Sequence, residues 1–515
     1  MRPDSRTIHH AALTLLVLLW LSACASRPPV DRSGPADAVP TPQQISRLPG
    51  DPPMFALSSL AAALGTMERY ETSHGVALLQ LLEDLPSGFL NRIPDTPDAA
   101  GSFQHWPQLA VTIRETLVQD ADLGLAARAW AAEHPGHAVT EPGFIDLAEA
   151  YRGLFALPTR IGVLLPNEGG LASAGKAIRD GLLSSYLQQP RGVQLRFYPT
   201  TEDPQSAVAA YFSALNDGAQ WIIGPLRRES VEALSGLGSL GVPLLLLNDP
   251  VNVERQFTES LVFSLSLAQE MEARAIADQA LENGLKSALV LAADSPWGQR
   301  IETAFSEAFL EGGGDIRASA RFNPAETDHG ELLTRLLQLD QSQGRKDRLQ
   351  ATLNIPLSFE PTRRDDFDLI FLAASPVQGR QIRPQLRYYD AFGKPVFATA
   401  RIYSGEVNRD QDLDLNGIIF PSTRWHLSGS LDGPRLSSVH DGSMGSLFDL
   451  GADAWRMLPW LPLLRKDPDL RFTGRLGTLF MDARGRVRRQ PLWAVFSGGA
   501  PVPAVFGSAP ESSRK

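Results

Sequence analysis

Cysteine is nearly absent from this chain: one, Cys24, in 515 residues. A single thiol cannot close an internal disulfide or furnish a cysteine-ligated metal centre, so the fold must be held by packing alone. Basic charge is also in short supply. Lys and Arg number 48 against 58 Asp and Glu, leaving a formal −10 at neutral pH. A nucleic-acid partner needs a basic face, so that class of function is set aside. The apolar run near the amino terminus, Ala11 to Leu21, is too short to cross a bilayer. As a helix it reaches about 16 Å, against about 30 Å of hydrocarbon. No Gly-x-Ser-x-Gly elbow occurs, and no serine is paired with a base.

What is present begins with that run. It follows Arg2 and Arg6 and ends in Leu21-Ser22-Ala23-Cys24, which reads as a signal peptide over residues 1–23. Leu-Ser-Ala-Cys resembles the bacterial lipobox. The resemblance implies a diacylglyceryl group on the Cys24 thiol, cleavage after Ala23 and acylation of the new amino terminus. Two or three acyl chains make such an attachment stable, and no free thiol then remains for catalysis. The alternative is an ordinary secreted chain with a stray cysteine. Ala25 and Ser26 follow, where inner-membrane lipoproteins tend to carry Asp, so the address implied is the outer membrane. Residues 24–53 are rich in Pro, Ser, Asp and Gly and too poor in apolar residues to offset ordering. They read as a disordered tether, able to stretch on the order of 80 Å at about 3.1 Å per residue; a simple spacer is the plainer alternative.

From residue 54 the chain is long enough for two or three domains. Over 54–157 apolar residues recur at helical spacing: Leu57, Leu60, Ala61 and Leu64, then Val76, Leu79, Leu82 and Leu85. Further helices are expected at 106–117, 122–133 (Ala126, Ala127 and Trp130 inward, stopped by Pro135-Gly136) and 143–154. This is a small all-α module, repeat-like but without a clean period. At Arg160 the pattern changes. Apolar runs at 161–165, 193–198, 221–223, 242–247, 261–265, 287–291, 369–373 and 396–398 alternate with helices of 10–15 residues. Such runs suit strands buried on both faces in parallel βαβ units. One sheet closes near Ser266 and a second opens near Ser287, with a helix at 268–283 crossing between them. A long helix at 443–461 and a hairpin of 477–482 and 487–496 complete an α/β body of two doubly wound lobes over 158–500. Residues 501–515 read as a flexible tail.

The residues carrying a family resemblance run in collinear order. They include Ile161-Gly-Val-Leu-Leu-Pro166, Ile178-Arg-Asp-Gly181, Trp221-Ile-Ile-Gly-Pro-Leu226 and Pro243-Leu-Leu-Leu-Leu-Asn248. Phe371 to Leu386, Lys394 to Gly405, Asp412-Leu-Asp-Leu-Asn-Gly417, Gly451-Ala-Asp-Ala-Trp-Arg456 and Asp482-Ala-Arg-Gly-Arg-Val487 follow. Together they resemble the type I periplasmic-binding-protein domain of the LpoA family, outer-membrane lipoprotein activators of penicillin-binding proteins. Trp130 to Ala138 is similar to the end of that family's tetratricopeptide-like domain, although the helical segment here is shorter. The resemblance implies a partner, a bifunctional class A penicillin-binding protein, whose transpeptidase step is stimulated by docking, and it implies no catalysis. It names no docking residue. A monomer is the default expectation. The alternative is a solute-binding lipoprotein that captures a small polar ligand between two lobes.

Other patterns have plainer accounts. Gly236-Leu-Gly238-Ser-Leu-Gly241 matches G-x-G-x-x-G but follows a helix and precedes a strand, the wrong order for a dinucleotide. Asp412, Asp414, Asn416 and Gly417 copy half a calcium loop, with Thr423 where a bidentate carboxylate is required. His134 and His137 lack a third zinc ligand nearby. The arginines of 484–489 read as a solvated hairpin face, or as a patch for an acidic partner. No cofactor and no metal is expected. In doubly wound lobes ligands sit beyond the carboxyl ends of strands. That points to Asn167, Ser173 and Asn248 in the first lobe, and to Asp294, Ser295, Ser375, Gln378 and Arg401 in the second. Alternatively these are ordinary caps in a cleft no longer used for solutes.

Overall fold

The computed structural model describes residues 72–83, 85–91, 105–237, 240–250, 262–391, 393–431, 444–482 and 484–506. Cys24, the tether, the helix expected around Leu57 to Leu64 and most of the tail lie outside them. Residues 68–515 form one compact unit.

Among the described residues five helices come first: α1 (Thr72–Leu82), α2 (Ser87–Leu90), α3 (Trp106–Val118), α4 (Leu123–Glu133) and α5 (Glu141–Gly153). Their inward faces follow the 3.6 period: in α5, Phe144, Leu147, Ala148 and Tyr151 are all buried. Asp122 starts α4 by accepting the Leu125 N–H at 2.7 Å, which satisfies one of the orphan donors of a helix start.

The first lobe has β1 (Arg160–Pro166), α6 (Ala172–Gln188), β2 (Gln194–Thr200), α7 (Pro204–Asn216), β3 (Trp221–Ile223), α8 (Arg228–Ser235), β4 (Leu244–Leu246) and β5 (Val262–Leu265). The second opens with α9 (Gln269–Glu282), β6 (Ser287–Ala293), α10 (Pro296–Glu311), β7 (Asp315–Phe322), α11 (Gly330–Leu336) and α12 (Leu339–Leu353). It continues through β8 (Leu369–Ala373), α13 (Pro376–Tyr388), β9 (Val396–Ala398), α14 (Arg409–Asp412), β10 (Ile418–Ser422) and α15 (Arg424–Leu431). The chain then returns to the first lobe with α16 (Met444–Met457) and α17 (Leu461–Lys466), β11 (Phe472–Thr473) and β12 (Gly477–Met481). It closes with β13 (Arg486–Ser497) and β14 (Ala500–Pro503).

Strand order is β2-β1-β3-β4-β5 in one lobe and β10-β9-β8-β6-β7 in the other, all neighbours parallel. One strand serves both lobes. The start of β13 pairs in parallel with β5 (Val487 opposite Leu265), and its later half runs antiparallel to β10 (Ala494 opposite Phe420). Hydrogen bonding therefore passes from one sheet into the other without a break.

Alternation on β6 and β8 builds two cores from one sheet. Leu289 and Leu291 pack with Ile370 and Leu372 on one side, while Ala288 and Val290 pack with Leu369 and Phe371 on the other. Phe371 stacks on Phe305 of α10 at 4.0 Å between centroids. Burying each such ring is worth about 1.5–3 kcal/mol.

Three expectations shift. β7 was not among the apolar runs because it is an edge strand whose residues alternate between exposed and half-buried until Phe322. β2, expected to be buried on both faces, is the opposite edge and is partly exposed. The long helix at 443–461 breaks after Met457 into a 3₁₀ turn (Leu458–Trp460) and α17, where Pro459 and Pro462 lack the N–H that a continuous helix needs.

Candidate functional site

The strand ends place the expected cleft residues as follows. Asn167 follows β1 and Ser173 lies in the first turn of α6. They share a groove of about 450 Å³ with Lys176, Arg179 and Tyr198. Asn248 follows β4. Its Nδ2 donates to the Leu226 carbonyl at 3.2 Å and its Oδ1 accepts from Asp249 N at 2.9 Å, so it ties two strand ends together. Asp294 follows β6 and is exposed. Ser295 caps α10, its Oγ accepting from Gly298 N at 3.0 Å. Ser375 is the cap of α13, and its backbone N–H donates to Gln378 Oε1 at 2.8 Å. Arg401 sits in the turn after β9 with its guanidinium 4.6 Å over the Trp297 ring. The structure thus brings Asn167 and Ser173 into one groove and lays Arg401 on the helix that Ser295 caps. Asn248, Ser295 and Gln378 already use side-chain oxygens on the protein's own backbone.

Sequence reasoning missed the residues that brace the two lobes. Glu272, in the first turn of α9, is buried. One carboxylate oxygen accepts from Arg489 Nη2 of β13 at 2.8 Å, and the other accepts the Ala400 N–H at 3.0 Å. Burial pushes its pKa up, against the Arg489 charge and the Ala400 hydrogen bond. Across the same strand, Asp482 accepts from Arg486 Nε (3.1 Å) and Arg488 Nε (2.9 Å), and from the backbone N–H groups of Arg484 and Arg486. Burial pushes Asp482 up, but those N–H groups and the two guanidinium charges outweigh it and hold the carboxyl below its ordinary value. Three of the arginines read as a solvated face are therefore engaged by carboxylates, Arg486 and Arg488 within the hairpin and Arg489 across to α9. Period two sends Arg486 and Arg488 to Asp482 and Arg489 to the opposite side. The legible clue was an acid, Glu272, on the apolar face of α9 beside Ala273 and Ile276.

A second bracing point fastens the helices to the first lobe. Arg114 of α3 and Asp467, just after α17, are both fully buried and meet at 3.1 Å. Arg114 Nη1 also donates to the Leu85 carbonyl at 3.0 Å, and the Ser87 N–H donates to Asp467 Oδ1 at 3.0 Å. Lys466 pairs with Glu83 at 3.1 Å nearby.

The calcium-like loop has a different use. Asp412 is buried and takes two hydrogen bonds from Arg380, Nε at 3.0 Å and Nη2 at 2.7 Å, while Asn416 Oδ1 accepts from Gly499 N at 3.0 Å. His134 and His137 pack on Trp130 at 3.9 and 5.3 Å between ring centroids. Among the described residues, no three His, Cys, Asp or Glu side chains gather as they would around a metal ion. The arrangement is a jointed body whose strong polar contacts hold its parts to one another.

Comparison with known proteins bears on the fold and the family. The protein-family model described as "LppC putative lipoprotein" matches residues 77–499. The penicillin-binding protein activator LpoA of Photobacterium profundum is 27% identical over 411 residues, covering 78% of this chain and 66% of that protein. The chain thus spans just under two-thirds of that relative's length. Full-length LpoA of Haemophilus influenzae superposes with a TM-score of 0.55 at 20% identity, covering 88% of this chain and 78% of that one. The C-domain of the Haemophilus influenzae protein, described as a regulator of PBP1A, is covered completely by 67% of this chain, at 22% identity and a TM-score of 0.55. At those identities the likeness shows the fold, a bilobed type I periplasmic-binding-protein body preceded by helices.

Proposed function

The chain belongs to the LppC lipoprotein family, and from that premise we propose that it binds and activates a class A penicillin-binding protein, stimulating peptidoglycan synthesis and chiefly transpeptidation. The observation that carries this reading is the 27% identity, over 411 residues, with the Photobacterium profundum activator. In this reading residues 1–23 are removed as a signal peptide and Cys24 carries the acyl chains. Residues 24–53 are the tether from the outer membrane into the periplasm, and residues 54–157 and 158–500 are the helical and bilobed parts; 501–506 do not behave as the expected tail, because β14 pairs with β13 and Phe506 packs against the core. The protein acts as a monomer and does no chemistry of its own.

Activation without catalysis is differential binding: the lipoprotein must hold the active conformer of the synthase more tightly than the idle one. A tenfold shift between conformers needs about 1.4 kcal/mol of such preference. A body braced by Glu272–Arg489 and Arg114–Asp467 suits that task, because a rigid surface loses less to its own ordering on binding. The internal engagement of Asn248, Ser295 and Gln378 favours a gripping body over a solute trap.

The test is reconstitution. The detergent-solubilised full chain is mixed with the purified class A synthase of the same cell, and cross-linked muropeptides are quantified on lipid-linked precursor. The expected result is co-purification and a rise in the cross-linked fraction. No complex and unchanged cross-linking would remove the reading.

A further inference from the structure

A further pocket lies where the helices meet the first lobe, at the end of the sheet opposite the cleft. A pocket of about 450 Å³ opens there between α5, the turn after α6 and the α16–α17 segment. Its size falls in the range of small-molecule sites. Three guanidinium groups reach it from three separate elements: Arg152 of α5, Arg191 of the turn before β2, and Arg456 of α16. The apolar part of its wall comes from Val118, Leu157 and Pro459 together with the rings of Phe155, Trp460 and Phe472.

Convergence of three like charges costs energy unless something offsets it. Internal partners hold part of each group: Arg191 lies 5.7 Å over the Trp455 ring and Arg456 lies 5.1 Å over the Phe472 ring. Arg152 meets Glu149 at 3.3 Å, and Arg191 Nη2 donates to Gln189 Oε1 at 2.9 Å. Arg456 reaches Asp453 and the Thr473 carbonyl, each at 3.4 Å. A guanidinium has five N–H donors, so each retains donors for an occupant. Two carboxylates, Asp120 and Glu149, also line the pocket, leaving one arginine charge in excess; Asp120 accepts from Gln189 Nε2 at 3.0 Å. The crowding is felt electrostatically. Surrounding protein lowers the Arg191 pKa, Asp120 opposes this, and the Arg456 and Arg152 charges lower it further. Arg191 is also held at φ +52, a left-handed backbone conformation uncommon outside glycine.

We infer that this junction pocket binds a small organic anion. A carboxylate or phosphate head sits among Arg152, Arg191 and Arg456, and an apolar or ring-bearing body lies against Phe155, Trp460 and Phe472. Arginine forks match both kinds of head in bidentate fashion, and the aromatic wall selects against a bare inorganic ion. Because the walls come from both the helices and the lobe, an occupant bridges them and stabilises their packing by mass action. The inference is independent of the activator reading, since it is read on the purified protein without any synthase.

Calorimetric titration of the full chain in detergent tests it with four probes: N-acetylphenylalanine, its uncharged amide, phenyl phosphate and inorganic phosphate. At least one of the two ring-bearing anions binds with a Kd at or below about 1 mM and raises Tm, and the amide binds at least about tenfold more weakly. Comparing the carboxylate with phenyl phosphate identifies the head; inorganic phosphate, which lacks the body, binds more weakly than the better of them. Arg191→Gln and Arg152→Gln each weaken binding by at least about tenfold, whereas Arg348→Gln on exposed α12 does not. Circular dichroism of each variant checks folding, so loss of one to misfolding leaves the other as the test. The inference is overturned by an amide that binds as well as its acid, by saturable binding unchanged in both pocket variants, or by no binding of either ring-bearing anion at about 1 mM.

Discussion

Gly451 presses on the backbone carbonyl of Ile178 so closely that a Cβ on it would lie 2.0 Å from that oxygen. The contact is reciprocal: a Cβ on Gly181 would lie 1.9 Å from the Phe448 carbonyl. Helices α6 and α16, far apart in sequence, thus interlock backbone to backbone, and no side chain larger than hydrogen fits at either crossing point.

Gly451→Ala should therefore force the helices apart and destabilise the protein by about 1–3 kcal/mol, as overpacking does. Gly344→Ala on α12, where an added Cβ meets nothing within 4 Å, should instead gain up to about 1 kcal/mol from helix propensity. Urea midpoints at unchanged slope distinguish them. Equal midpoints for the two variants would show that the crossing tolerates a methyl group.

Arg114→Met should cost about 3–5 kcal/mol, because Asp467 would stay fully buried without its ion-pair partner. A double-mutant cycle with Asp467→Asn should give a coupling of at least about 1 kcal/mol. Additive losses would mean that the pair does not fasten the helices to the lobe.

Asp453 makes stability depend on pH in a defined direction. Burial lifts its pKa from 3.8 to about 6, against the N–H groups of Arg475 and Leu476 and the Arg456 charge. Between those values the folded chain keeps a proton that the unfolded chain releases, so stability falls as pH rises through that window. The loss is on the order of 3 kcal/mol, complete about one unit above the folded value of about 6. Asp453→Asn should flatten Tm against pH across this range, even if it lowers Tm throughout. A variant with the wild-type slope would assign the dependence to other groups.

Cys24→Ser should leave the fold intact, release the protein from the membrane fraction and abolish stimulation of wall synthesis in cells. Mass spectrometry of the mature chain and cross-link analysis check both parts. Full stimulation by an unanchored form would separate activity from the anchor.

Much of the fold was legible in the chain. Runs such as Leu369–Ala373 and Val396–Ala398 became strands at the expected residues, because a strand buried on both faces must be apolar throughout. Edge strand β7 escaped notice for the same reason: with one face in solvent, Asp315 to Arg321 carries polar residues at alternate positions. Of the cleft residues, Asn167 and Ser173 do share a groove, whereas Ser295 and Ser375 cap helices, a role their places before Pro296 and Pro376 already suggested. The arginines of the closing hairpin could be seen but not their partners, since alternation shows which residues share a face without showing what that face meets.

By itself the sequence determined the change from helical to strand-and-helix periodicity at Arg160 and the family. Each of these is written in neighbouring residues, through local spacing and the free energy of burying one face. Only the tertiary structure decided that β13 joins the two lobes, that Glu272 meets Arg489, that Arg114 meets Asp467 across 353 positions, and that three arginines ring one pocket. Those relationships depend on how finished surfaces come together, and a charged side chain bears no mark of which distant partner will balance it.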